Sequence, residues 1–264
     1  MSFSAPSDQP MPADGPAVVP AATVVIFRRS AEGGPPDVLM VQRAKKMRFA
    51  GGAAVFPGGR VDPADYELAR RLLPEEALEI AAARIAAIRE TLEETGLMIA
   101  TRQPVGAAEA VAARALLLET GRLDTVLERF GWALDPGALT FFAHWCPLWD
   151  KAFDTRFFVT DLGTGAVDIA VDATENTRLF WASAAKALAM ADRGEISVIF
   201  PTRRNLERLA QYADHADALA DIAAHPVARI HPSLEDRDDG EWLVIAGSHG
   251  YPVLGQPKAT ARRG

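Results

Sequence analysis

The chain has 264 residues, of which 49% are hydrophobic and 24% charged, and carries a net charge of −7. These are ordinary globular values, so the chain can build a substantial core, and one elaborated domain is expected at this length. The acidic balance argues against a general nucleic-acid binder but allows a local basic pocket for an anionic small molecule. Cys146 is the single cysteine, which excludes an internal disulfide and a cysteine-only zinc site. No apolar run is long enough to cross a bilayer.

Residues 1–20 are rich in Pro and Ala and read as a disordered tail, without the basic and apolar regions of a signal peptide. The last residues, PKATARRG, are not an SKL-type peroxisomal address. The expectation is a cytoplasmic protein without a membrane or nucleic-acid partner, with a homodimer left open. Thr23–Phe27 and Val38–Arg43 read as strands joined across the turn SAEGGPPD. Residues 51–63, GGAAVFPGGRVDP, read as a glycine-rich loop around a short strand, Ala54–Phe56. Pro57, Gly58 and Gly59 are expected to end that strand.

A long helix is predicted from about 74 to 95. Pro74 suits the first helical position, and Glu75 and Glu76 suit the first turn. Ile80, Ala81, Arg84, Ile85, Ile88 and Leu92 repeat at helical spacing, and Gly96 can close the helix. Two shorter helices within 107–131 each end at a glycine. Strands follow at Thr140–Trp145, Thr155–Thr160 and Leu179–Trp181. Helices follow at Ala184–Asp192, capped by Ser183, and at Thr202–Ala213. Asp239-Gly240 before an apolar run signals a hairpin. The mixture is that of an α/β or α+β protein.

Glu90, Glu93 and Glu94 share one helix face, near the negative end of the helix dipole. Mutual repulsion at such a position calls for a compensating positive charge. A hard divalent cation with oxygen ligands is one candidate, and a solvated acidic face is the other reading.

The order Phe56-Pro57-Gly58-Gly59, then a helix carrying Arg89-Glu90-Thr91-Leu92-Glu93-Glu94-Thr95-Gly96-Leu97, resembles the Nudix hydrolase family. The family box is G-x5-E-x7-R-E-U-x-E-E-x-G-U, where U is a bulky aliphatic residue. Gly59 stands at its first glycine, Asp65 replaces its first Glu, and Thr91 replaces an aliphatic residue. Between Asp65 and Arg89 lie 23 residues, where the family has seven, so the box carries an insertion. Surface insertions of this kind cost little loop entropy.

The resemblance implies a Nudix-type α/β/α sandwich with a mixed sheet and helical insertions near 66–80 and 107–131. The hydrolase domain would span 21–214, and 215–264 would form a C-terminal extension with a β-hairpin. It implies a pyrophosphohydrolase acting on a small-molecule nucleoside diphosphate derivative with Mg²⁺ or Mn²⁺. Glu93 and Glu94 would be the main metal ligands. Glu90 would be a further ligand or the base that orients water, and the Gly58 carbonyl would complete the shell. Asp65 would hold Arg89 as a structural pair, with Glu79 the next choice for its partner. Glu175, in a loop six residues before Trp181, is the candidate for a further ligand, against the reading of an exposed loop glutamate.

The run from Leu39 to Gly59 also resembles the signature of the coenzyme A diphosphatase branch, L-L-T-x-R-[SA]-x3-R-x3-G-x3-F-P-G-G. Arg43, Arg48, Gly52 and FPGG hold its spacing, while Met40 and Val41 depart from it. It implies coenzyme A or acyl-CoA as substrate. Arg43, Arg48, Lys45 and Lys46 are the candidate substrate-binding residues, the loop reading the 3′-phosphate. The alternatives are a Nudix enzyme acting on ADP-ribose, NADH or a related compound, and a non-catalytic Nudix regulator. His144 and Cys146 read as packed residues rather than as ligand or nucleophile.

Overall fold

A computed structural model describes residues 17–45, 50–148, 152–162 and 176–261. The candidate residues Lys46, Arg48 and Glu175, and most of the N-terminal tail, lie outside them.

Strand β1 (Val19–Arg28) is the centre of the sheet. One of its edges pairs in parallel with β6 (Phe153–Asp161) along nearly its whole length. The other edge is shared. Gly58–Arg60, strand β4, pairs with Ala21–Thr23, and β2 (Asp37–Arg43) pairs with Phe27 and Arg28. Strand β2 continues the sheet to β7 (Asn176–Ser183) and to the short β3 (Ala54–Val55). Beyond β6 lie the antiparallel β5 (Thr140–Trp145) and the parallel β8 (Arg229–Ile230). Parallel and antiparallel pairs in one sheet make it mixed.

The alternation of β1 divides the core in two, as strand geometry requires. Val24 and Ile26 face a layer built by α1 (Pro63–Leu72), α2 (Leu78–Thr95), α3 (Ala107–Thr120) and α4 (Leu123–Phe130). Val25 and Phe27 face the other layer, which holds α5 (Ala184–Asp192), α6 (Phe200–Leu209) and α7 (His215–Ala224). The fold is therefore an α/β/α sandwich. Among the described residues, no helix is long and apolar enough to cross a membrane.

The region after α7 does not stand apart from this core. Strands β9 (Ser233–Arg237), β10 (Gly240–Val244) and β11 (Gly255–Pro257) form a small antiparallel sheet. Leu243, Ile245 and Tyr251 pack into the α5–α7 layer. Buried Arg204 of α6 donates to the Gly255 carbonyl at 3.1 Å and to Gln256 Oε1 at 3.1 Å. Tyr251 accepts from Trp145 Nε1 at 3.0 Å and donates to Asn205 Oδ1 at 2.7 Å.

Three expectations are corrected. Pro74–Ala77 is not the start of the long helix. The chain reverses there, because α1 and α2 pack against each other, and Glu76 pairs with Arg84 instead of capping a first turn. The helix expected at 202–213 starts two residues earlier, at Phe200, with Pro201 in its first turn, and ends at Leu209. Strand β3 does end before Pro57, but Gly58 and Gly59 then form a strand of their own instead of breaking the pairing. A Cβ on Gly58 would lie 2.2 Å from the Ala22 carbonyl oxygen, so the missing side chain is what permits the close pairing with β1.

Candidate active site

The carboxylates converge because α2 brings its last two turns against β4. Glu94 Oε2 accepts from the Gly58 amide at 3.0 Å, which fixes the helix end to the glycine strand. Gly59 lies against Glu90, and a Cβ there would sit 2.3 Å from the Glu90 carboxyl carbon. Gly96, in the left-handed region at φ 72°, ends the helix with its amide on the Leu92 carbonyl. The sequence of α2 supplies no basic residue in its last turn. Arg114 of α3 supplies the charge instead, donating to the Glu93 carbonyl at 2.8 Å. A cation at the C-terminal end of a helix offsets its dipole, and no periodicity within α2 could have revealed this partner.

Arg89 is 4% exposed and is enclosed by acceptors. Its Nε donates to Asp65 Oδ1 and its Nη2 to Asp65 Oδ2, both at 3.0 Å, a bidentate pair. It also donates to the Arg60 carbonyl at 2.8 Å and to Glu90 Oε1 at 2.9 Å. Asp65 is itself placed by the first turn of α1, where it accepts from the Asp62 amide at 2.8 Å. The first turn of α1 therefore carries the residue that clamps Arg89. Glu93 is the outermost carboxylate, with a side chain 37% exposed and 3.5 Å from Arg89 Nη1. Burial pushes the Glu90 carboxyl up to about 8. Arg89 opposes that shift, and Glu94 and Glu93 add to it.

These groups line a cleft of about 540 Å³ together with Thr23, Arg43, Arg60 and Asp62. Arg43 reaches within 3.9 Å of Glu94 Oε1 from β2. Its Nε is buried without a hydrogen-bond partner. Lys45, two residues on, borders a separate groove with Gly52, Asp192 and Trp242, so the structure does not bring it to the carboxylates. Asn176, unmarked in the sequence, is 1% exposed and donates from Nδ2 to Glu94 Oε1 at 3.4 Å. It stands beside Glu175 in sequence, and only the pairing of β7 with β2 brings it to the cleft.

Among the described residues, no three carboxylate, imidazole or thiolate groups stand together as a preformed metal cluster. Glu90 and Glu93 are turned onto Arg89, and Glu94 onto Gly58. The donor set nevertheless fits a hard divalent cation. Three carboxylates line one cleft, and the Asn176 Oδ1 atom is buried beside Glu94 without a partner. His144 and Cys146 are elsewhere. His144 Nε2 meets Asp154 at 2.5 Å within a buried ion network, and burial pushes the Cys146 thiol up to about 12.

A sandwich with a mixed sheet, a glycine strand and an acidic helix end facing one cleft defines a class. The chain belongs to the Nudix hydrolase family of pyrophosphohydrolases. A crystal structure of a Nudix hydrolase from Alicyclobacillus acidocaldarius is 30% identical, over 78% of this chain and 96% of that one, with a TM-score of 0.66. An acyl-coenzyme A diphosphatase of Gallus gallus is 26% identical, over 83% of this chain and 74% of its own length. No family model matches the chain.

Proposed function

We propose that the protein is a metal-dependent diphosphatase that cleaves coenzyme A or an acyl-CoA. The products are 4′-phosphopantetheine, or its acyl form, and adenosine 3′,5′-bisphosphate. The observation that carries the substrate reading is the run from Leu39 to Gly59, whose Arg43, Gly52 and FPGG spacing matches the coenzyme A branch. Similarity to an acyl-coenzyme A diphosphatase supports the same reading.

Nudix hydrolases generally need a divalent metal ion. Glu90, Glu93 and Glu94 are the residues that would hold Mg²⁺ or Mn²⁺, with the Gly58 carbonyl, the Asn176 amide oxygen and Glu175 as further donors. Bound there, the ion would neutralise the diphosphate and acidify a water. The protein's own part is placement. Arg43 offers a guanidinium to the diphosphate from the cleft wall. Arg89 and Asp65 hold the α2 carboxylates in register with β4. Positioning and electrostatics of this kind supply most of the catalysis in phosphoryl transfer.

The test is a substrate panel with product masses, run with Mg²⁺, with Mn²⁺ and in EDTA. Coenzyme A should be cleaved faster than ADP-ribose or NADH. Glu93→Gln and Glu94→Gln should each lower kcat by at least a hundredfold. Full activity in EDTA would overturn the metal site. Faster cleavage of ADP-ribose would overturn the substrate. Dephospho-coenzyme A, which lacks only the 3′-phosphate, should be roughly ten- to a hundredfold poorer if Arg48 or Lys46 reads that group.

A further inference from the structure

The carboxylate cleft has a neighbour of opposite character. A second cavity of about 160 Å³ opens beside it, walled by Phe56, Trp145, Phe157, Phe200 and Leu243. Thr23, Arg43, Gly58, Phe153 and Thr155 line both spaces, so the apolar cavity adjoins the carboxylate cleft. Polar groups stand where the two meet, and the walls beyond are mostly hydrocarbon.

Resting on the coenzyme A reading above, we infer that this cavity takes the branched alkyl group of the pantetheine half, the gem-dimethyl carbon close to the diphosphate. An apolar cavity of about 150 Å³ holds a group the size of benzene. A quaternary carbon with its methyls is of that order and lies within a few bonds of the phosphate oxygen. A ribose in the same place would bury several hydroxyls where the aromatic and aliphatic walls offer none a partner and only Thr23, Arg43, Thr155 and Thr202 are polar, at a cost of roughly 1–3 kcal/mol for each group left unsatisfied. ADP-ribose and the dinucleotides carry a ribose on both sides of the diphosphate, whereas coenzyme A carries one on a single side. The cavity thus discriminates where the carboxylates cannot, since they meet only the shared diphosphate.

Part of the cavity wall comes from the C-terminal region. Pro232 and Leu243 line it, and Trp145 is held by the Tyr251 hydroxyl. Substrate choice therefore draws in part on residues after α7, far in sequence from the acidic end of α2. Leu243 is the specificity-determining position, being 2% exposed and supplied by β10.

The experiment narrows the cavity in the full-length protein with Leu243→Phe. The kcat/KM ratio of coenzyme A to ADP-ribose is then measured, together with calorimetric binding of 4′-phosphopantetheine and of adenosine 3′,5′-bisphosphate. The expected result is a ratio at least tenfold lower, since one methylene in an apolar pocket already shifts discrimination by roughly tenfold or more and Leu→Phe adds three carbons. Binding of 4′-phosphopantetheine should weaken more than that of the nucleotide. Should Leu243→Phe fail to fold, Ala152→Leu fills the same cavity from another side. An unchanged ratio overturns the inference. Selective weakening of the nucleotide product also overturns it, placing adenine between the aromatic walls instead. If no diphosphate substrate is cleaved at all, the function above fails, while the two binding measurements still decide the cavity.

Discussion

A methyl group added at Gly59 would stand 2.3 Å from the Glu90 carboxyl carbon and 2.4 and 2.5 Å from its two oxygens. Ordinary contact begins near 3.4 Å, so Glu90 must withdraw by about 1 Å. A misplacement of that size at a reacting centre costs roughly a hundredfold in rate, or about 2.7 kcal/mol of transition-state stabilisation. The fold should tolerate the change, because the obstacle is the end of a flexible side chain and Gly59 is not in the left-handed region. Gly58 is the internal control. Its added Cβ would meet the Ala22 carbonyl oxygen at 2.2 Å and Thr23 Cα at 2.7 Å, and backbone cannot step aside without opening β4 from β1. The expected outcome is thus a split. Gly59→Ala keeps its melting temperature within a few degrees and loses about a hundredfold in kcat/KM for diphosphate hydrolysis. Gly58→Ala loses several kcal/mol of stability in the same thermal scan. A Gly59→Ala enzyme within threefold of wild-type kcat/KM would refute the idea that the position of Glu90 governs the reaction.

Removing Asp65 should strand a buried guanidinium. Asp65→Ala is expected to cost about 3 kcal/mol, roughly 6–12 °C in melting temperature, and an unchanged Tm would show that Arg60 and Glu90 suffice to hold Arg89. Asp154 gives a pH signature. Burial pushes its carboxyl up, but His144, Arg156 and Arg229 more than offset this and hold it below its ordinary 3.8. A carboxyl depressed in the folded state contributes stability above its unfolded pKa, which is lost as pH falls below it. Unfolding midpoints should therefore drop on acidification below about pH 4 in the wild type and drop less steeply in Asp154→Asn, with equal slopes arguing against the network. Tyr251→Phe leaves Trp145 Nε1 and Asn205 Oδ1 without their shared hydroxyl, and about 2 kcal/mol should be lost in urea unfolding.

The parts of this structure that local chemistry dictates were legible in the sequence. Gly121 and Gly131 end α3 and α4 in the left-handed conformation, at the positions the glycines marked. Glu90 and Glu94 share the face that helical spacing assigns them, and both line the cleft. What the sequence concealed depends on partners far along the chain. A Gly-Gly pair reads as a strand breaker until the approach of β1 shows why glycine is required at Gly58. Pro74 reads as a helix start until α1 and α2 are seen to pack against each other. Arg114 and Asn176 carry no motif, and they reach α2 only through the docking of α3 and the pairing of β7 with β2. The apolar cavity needs residues from β3, β5, β6, α6 and β10 together, a combination that no periodicity encodes.

The bidentate contact between Asp65 and Arg89 joins two ends of an excursion. Asp65 lies in the first turn of α1 and Arg89 in the middle of α2, so everything between them is a detour that leaves and returns to one point. The turn between the two helices can change length provided the buried faces of α1 and α2 and both anchors keep their places. The stretch around residues 73–77, at the far end of that detour, is then a natural place to lengthen, shorten or graft the chain. A tag or a small domain inserted there would be carried by the enzyme with the cleft geometry intact. Contact between acid and arginine, and not the number of residues separating them in sequence, is what ties the first turn of α1 to the acidic end of α2.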